Sequence, residues 1–264
     1  MLRDVPVVAT LLVKDLPGGV RELTVSHPAR KNALDDGLLE ALDAALASSD
    51  GVRAWLVRGA GQGIFSAGYD LTALTSYQPD APLPDERLGE VLDRLSRHPA
   101  PSVALVTGPA VGAGCELAAA CDFRVGDEHA RFCMPPAKIG VVYALKGLQR
   151  FIARVGEGRA RYLFLTGRSL DAKDALRVGL LDLLAPDAAA AEAQALALCG
   201  ELAANAPLAV RGLKRGLDLL EEGGGTAAER AQYEALRRQS FNSRDAREGR
   251  DAVLAKRAPR FIGE

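Results

Sequence analysis

The stretch Thr107-Gly-Pro-Ala-Val-Gly112-Ala113-Gly114-Cys-Glu116-Leu-Ala-Ala-Ala-Cys-Asp122 decides how the chain is read. It follows the apolar run 102–106, crosses a glycine-rich turn and enters a helical pattern with a carboxylate in its first turn. Gly112, Ala113 and Gly114 have little or no side-chain bulk, which lets a backbone approach a ligand closely. The first N–H groups of a helix have no partner inside it and attract negative charge. Glu116 stands where a proton can be handed to whatever carries that charge. The stretch therefore reads as an anion-stabilising turn with an acid/base group beside it.

The flanking pattern is α/β. Residues 7–13 and 20–26 are β-rich runs joined by Leu16-Pro-Gly-Gly19, a hairpin signature. Residues 35–48 place Leu38, Leu39, Leu42, Ala45 and Leu46 at helical spacing. Residues 54–58 form a short buried strand that ends at Gly59-Ala-Gly-Gln-Gly63. The polar segment 75–84, with Pro79, Pro82 and Pro84, is expected to be a mobile surface stretch before a helix over 85–97. Short strands are expected at 123–125 and 131–132. From about residue 145 helices follow one another, at 146–154, 158–165, 172–178, 187–204, 207–221, 227–240 and 244–254. Pro207 suits a helix start, and Gly223-Gly-Gly225 breaks the run. Alternating elements followed by helices predict a layered α/β core, residues 1–200, and a helical region, residues 201–264.

At 264 residues, 48% hydrophobic and 25% charged, the composition is that of a globular protein able to bury a large core. A net charge of −1 gives no support for nucleic acid or an anionic membrane as partner. Cys115, Cys121, Cys133 and Cys199 show no paired spacing, and His27, His98 and His129 are scattered. No metal site or disulfide framework is expected. No basic leader or apolar span is visible, so a cytoplasmic location is expected.

A second glycine turn, Gly63-Ile-Phe-Ser-Ala-Gly68-Tyr69-Asp70-Leu71, also leaves a strand, so both turns can present a backbone N–H to one point. By spacing alone such turns also read as packing loops. The combination of Ile64–Leu71 with Gly108–Asp122 resembles the enoyl-CoA hydratase/isomerase (crotonase) superfamily. His27-Pro-Ala-Arg30-Lys31-Asn-Ala-Leu34, residues 163–168 and 175–182, and residues 248–261 resemble further segments of the same family in the same order. The resemblance implies a spiral of ββα turns, a C-terminal helical region that drives a homotrimer or a dimer of trimers, and a coenzyme A thioester as substrate. No bound cofactor is implied. It assigns the oxyanion donors to the backbone N–H groups of Tyr69 and Ala113, and CoA contacts to Arg30, Lys31, Ala67, Asp70 and Lys256. Thr72 stands where relatives often carry a nucleotide-contacting lysine.

One departure bears on mechanism. Hydratases of this family use two glutamates around a water. Glu116 matches the first, whereas Phe132-Cys-Met-Pro-Pro136 places a proline at the second, and a proline side chain moves no proton. Tyr143 aligns with a substrate-orienting tyrosine of methylmalonyl-CoA decarboxylase-like members, although those carry histidine at the Tyr69 position. A structural role for Tyr143 is the other reading. Three functions follow: a lyase or isomerase acting through a thioester enolate in fatty acid metabolism, with Glu116 and Tyr143 catalytic; a decarboxylase; or a non-catalytic acyl-CoA binder. Neither a dinucleotide fingerprint nor a serine-hydrolase elbow is present.

Overall fold

Near-continuous apolar runs such as Ala54–Val57 and Val103–Val106 build the middle of a sheet that is buried there on both faces, as parallel strands covered by helices are. In the computed structural model, which describes residues 9–61, 63–70, 78, 80, 82–83 and 85–264, the strands are β1 (Thr10–Leu16), β2 (Val20–Ser26), β3 (Ala54–Gly59), β4 (Ser102–Val106), β5 (Pro109–Val111), β6 (Phe123–Gly126), β7 (Arg131–Cys133), β8 (Ser169–Asp171) and β9 (Leu183–Leu184). The main sheet has the order β1-β2-β3-β4-β6-β9, antiparallel between the first two and parallel onward. A small sheet, β5-β7-β8, lies beside it. Strand pairs β4–β5 and β6–β7 each put one strand in the main sheet and the next in the small one, so the chain advances as a spiral.

The helices are α1 (Asp36–Ala47), α2 (Glu86–Ser96), α3 (Ala113–Ala120), α4 (Pro136–Ile139), α5 (Leu145–Thr166), α6 (Ala172–Val178), α7 (Ala188–Ala204), α8 (Pro207–Glu221), α9 (Ala227–Asn242) and α10 (Arg244–Leu254). Their starts follow local chemistry: Asp35, Asp171, Asp187 and Ser243 each accept from a backbone N–H three residues on, and Thr226 with Glu229 forms a capping box. The two helices expected at 146–154 and 158–165 form one element, α5, broken at Gly156, where φ is 74°. Strands β5, β8 and β9 and helix α4 were not anticipated, because two to four residues are too few to show a period. The expected strand at 7–13 begins at Thr10 among the described residues, and most of 75–84 lies outside them.

Strand alternation sorts the core. Trp55 and Val57 of β3 and Ala104 and Val106 of β4 face the larger cluster, with Leu38, Leu42, Leu92 and Leu117. Ala54, Leu56, Val103 and Leu105 face the other side, against Ala191, Ala195, Cys199 and Ala203 of α7. That four-residue repeat of small side chains lets α7 lie close against the sheet. The C-terminal helices are tied to the core through Lys214 of α8, whose ammonium sits 2.5 Å from Asp122 Oδ2, which also accepts from Ser102 N and Oγ. Leu213, Leu217 and Leu220 of α8 remain exposed, as do Val253 and Leu254 of α10.

Trp55 is fully buried, and its Nε1–H donates to His98 Nδ1 at 2.9 Å; Ala100 N donates to the same nitrogen at 3.0 Å. Two donors aimed at Nδ1 require it to be unprotonated. Burial holds the ring below the ordinary histidine value. Such a base binds fewer protons folded than unfolded, so its contribution is present above the unfolded value of about 6.5 and is lost as pH falls from there through the lower folded-state value. His98→Asn is expected to flatten the loss of thermal stability that wild type shows between about pH 7 and pH 5. An unchanged slope in melting experiments would count against this assignment.

Candidate active site

The two glycine turns meet backbone to backbone. Ser66 forms a bridge with Ala110, Ser66 N donates to Pro109 O at 3.2 Å and Val111 N to Ser66 O at 3.0 Å. A Cβ on Gly114 would stand 2.6 Å from Ser66 Cβ, and one on Gly68 would stand 2.6 Å from Val111 O and 3.6 Å from Ala113 N. The glycines are thus what allow the segments to touch. Gly68, at φ +102°, also has a conformation that other residues rarely adopt.

This contact sets the turn that carries Tyr69 beside the start of α3. Tyr69 forms a parallel bridge with Leu34, in which Leu34 N donates to Gly68 O and Asp70 N donates to Leu34 O, both at 2.8 Å. In that pattern the N–H of Tyr69 itself points to the opposite side. Ala113 is the first residue of α3, preceded by Gly112 at φ 51°, and its N–H is one of the orphans of a helix start. Among the described residues neither N–H has a hydrogen-bond acceptor. The Tyr69 side chain is turned elsewhere: Oη donates to Asp36 at 2.5 Å, and burial, then that bond, push the phenol value up.

Glu116 lies one turn along α3 and is buried, at 6% side-chain exposure. Its Oε1 accepts from Arg150 Nη1 at 2.5 Å, while Arg150 Nη2 donates to Asp93 at 3.0 Å. Lys146 also pairs with Asp93. Burial raises the Glu116 carboxyl above its usual range, against the opposing pull of Arg150. Tyr143 joins this group. A Cβ on Gly147 would stand 2.8 Å from the Tyr143 ring and 2.9 Å from Glu116 Oε1, so Gly147 leaves the room in which they meet. Tyr143 Oη is buried without a well-formed hydrogen bond, and burial with the neighbouring Glu116 charge pushes the phenol well above its ordinary value.

Arg150 was not anticipated from sequence. It stands on the buried face of α5 beside Phe151, at a position where periodicity predicts an apolar residue, and a charged residue there is the one available signal. Pro136 is the first residue of α4, a position proline favours, and Val141 N donates to its carbonyl.

The remaining expected residues divide into two places. Arg30 pairs with Asp70, and Ala67 N donates to Lys31 O at 2.9 Å, so the turn after β2 is stitched to the Tyr69 turn. Lys31 and Asn32 have φ of 53° and 56°, and Ser66 Oγ donates to Asn32 O at 2.7 Å. Lys256 stands instead on the exposed turn after α10, and among the described residues no hydrogen bond or ion pair joins its side chain to these groups. Thr72 lies outside the described residues. Chemically, the assembly offers two N–H groups without an acceptor among the described residues, a buried carboxyl held by an arginine, and a buried phenol beside that carboxyl.

The sequence is matched over residues 15–264 by the model of the family described as enoyl-CoA hydratase/isomerase. It is 35% identical over 252 residues to a probable enoyl-CoA hydratase of Bacillus subtilis, covering 93% of this chain and 96% of that protein. It is also 35% identical over 248 residues to the 2,3-dehydroadipyl-CoA hydratase of Escherichia coli, covering 91% and 94%. Among solved structures, the enoyl-CoA hydratase from Bacillus anthracis superposes with a TM-score of 0.88 at 27% identity, covering 96% of this chain and 99% of that one. A hydratase/isomerase family protein from Hyphomonas neptunium gives 0.87 at 30% identity, covering 96% and 98%.

Proposed function

The chain belongs to the enoyl-CoA hydratase/isomerase family, and from that premise we propose that it is an acyl-CoA lyase or isomerase that works through a thioester enolate. The observation that carries this reading is the pair of N–H groups at Tyr69 and Ala113, without an acceptor among the described residues, near the buried Glu116. A thioester oxygen that accepts both N–H bonds gains negative charge as the enolate forms, and each donor of this kind is worth about 2.7–4 kcal/mol of barrier. Glu116, raised by burial, is suited to hold a proton and deliver it at the carbon next to the thioester. Arg150 keeps that carboxyl in one position. Arg30, Lys31, Ala67 and Asp70 surround the approach of the CoA moiety. The exposed leucines of α8 support assembly into a trimer or a dimer of trimers, in which Lys256 reaches the CoA phosphates. A cytoplasmic place in fatty acid metabolism fits this reading.

A second reading is decarboxylation of a 2-carboxyacyl-CoA, favoured by the Tyr143 hydroxyl, which is buried beside Glu116 without a well-formed hydrogen bond and suits a substrate carboxylate. Loss of carbon dioxide leaves the bond pair on the α-carbon as the same enolate, so no base is required. Assays of wild type and Tyr143→Phe on crotonyl-CoA and on malonyl- and methylmalonyl-CoA separate the two. The leading reading expects turnover of crotonyl-CoA with only a modest loss in Tyr143→Phe. Carbon dioxide release that collapses in Tyr143→Phe would replace it with the second. Binding of CoA esters without any turnover would overturn both.

A further inference from the structure

Adding water across an enoyl double bond moves protons at two places, yet Pro136 stands where relatives of the resembled type carry their second carboxylate. Another acid faces the same site. Asp85, Gly89 and Asp93 are four residues apart at the start of α2 and along it, which puts them on one helix face. That face is turned toward Glu116, because Asp93 is bonded to Arg150 Nη2 and Arg150 Nη1 to Glu116 Oε1. Between the two aspartates there is open space: a Cβ on Gly89 would meet nothing within 4 Å.

Asp85 is not occupied by the task its position suggests. It is the N-cap residue of α2, with φ −95° and ψ 0°, and its side chain makes no capping bond. Among the described residues its carboxylate has no hydrogen bond or ion pair, whereas Asp93 holds both Arg150 and Lys146. The Tyr143 hydroxyl beside Glu116 is likewise buried without a well-formed bond. The Asp85 charge acts on both Glu116 and Tyr143, and on Glu116 ahead of Asp93.

We propose that Asp85 is the second acid/base carboxylate of this active site, working with Glu116 on the enoyl-CoA. The inference rests on the enoyl-CoA reading above. In the forward direction the Asp85 carboxylate accepts one proton of a water molecule as the water oxygen bonds to C3. The C2–C3 electron pair moves onto the thioester as the enolate, and protonated Glu116 delivers its proton to C2. One molecule of water has then been added, and the proton on Asp85 returns to Glu116 through solvent. Half-exposed Asp85 suits the base and buried Glu116 the acid.

The test is steady-state hydration of crotonyl-CoA by wild type, Asp85→Asn and Asp85→Glu, with thermal melts of all three. Asparagine is as good an N-cap as aspartate, so the Asn variant is expected to fold. The expected result is a loss in kcat of about 10–100-fold in Asp85→Asn, with KM nearly unchanged and partial recovery in Asp85→Glu. An Asp85→Asn protein that melts like wild type and keeps kcat within about twofold, well below a general acid/base effect, would overturn the assignment while leaving the enoyl-CoA reading intact. A folded wild type that turns over no enoyl-CoA would instead remove that reading, and the role of Asp85 with it.

Discussion

Glu116→Gln is expected to lower kcat by about 10²–10⁴-fold, the range for removing a positioned general acid or base. Glutamine keeps the shape and still offers an oxygen to Arg150, so KM for the CoA ester is expected to change little. The arginine is the sensitive part. Its guanidinium is 7% exposed and bonded to both Glu116 and Asp93, so the substitution exchanges one of its two carboxyl partners for an amide. Breaking a buried pair outright costs about 3–5 kcal/mol, and the remaining Asp93 bond together with the amide oxygen should hold the loss well below that. Kinetics with parallel thermal melts separate the two effects. Full activity in a well-folded Glu116→Gln protein would show that Glu116 is a structural partner of Arg150 and no more.

Gly114→Ala is expected to reduce kcat by about 10²–10³-fold, although it adds a single methyl group. Helix propensity alone predicts the opposite sign for stability, since alanine is favoured over glycine by about 1 kcal/mol inside a helix. Packing decides the outcome. The new Cβ would stand 2.6 Å from Ser66 Cβ and 2.7 Å from Ser66 O, and a backbone oxygen cannot rotate away as a flexible side chain can. The two turns must part, which moves the Ala113 N–H away from that of Tyr69 and removes one donor from the shared point. Gly200→Ala provides the comparison: this glycine of α7 has nothing within 4 Å of a built Cβ. It should stabilise by up to about 1 kcal/mol and leave kcat alone. Loss of activity in Gly200→Ala, or none in Gly114→Ala, would contradict the view that the turn-to-turn contact sets the site.

Much of the fold was legible because its signals are local. The strand at 102–106 and the helices at 172–178 and 207–221 have the bounds expected from alternation, helical spacing and a proline start. The three-residue strands of the small sheet carry no such signal, because their strand geometry comes from pairing across the chain, as Ala110 with Phe132 and Phe132 with Leu170. The break at Gly156 falls between the two helices expected from sequence, so the pattern was right where the continuity was not.

The site divides along the same line. The sequence by itself determined the family, the two glycine turns and the carboxylate at position 116, because each is a short motif whose residue types state the backbone conformation or the chemistry required. It also showed that position 136 moves no proton. Tertiary structure alone decided that Arg150, 34 residues from Glu116, closes on that carboxylate, that Tyr69 turns its phenol toward Asp36, and that Asp93, on the α2 face it shares with Asp85, bonds Arg150. These are relations between elements brought together by burial of their apolar faces. A buried charge must be met by whatever the packing places next to it, and the packing is a property of the whole chain.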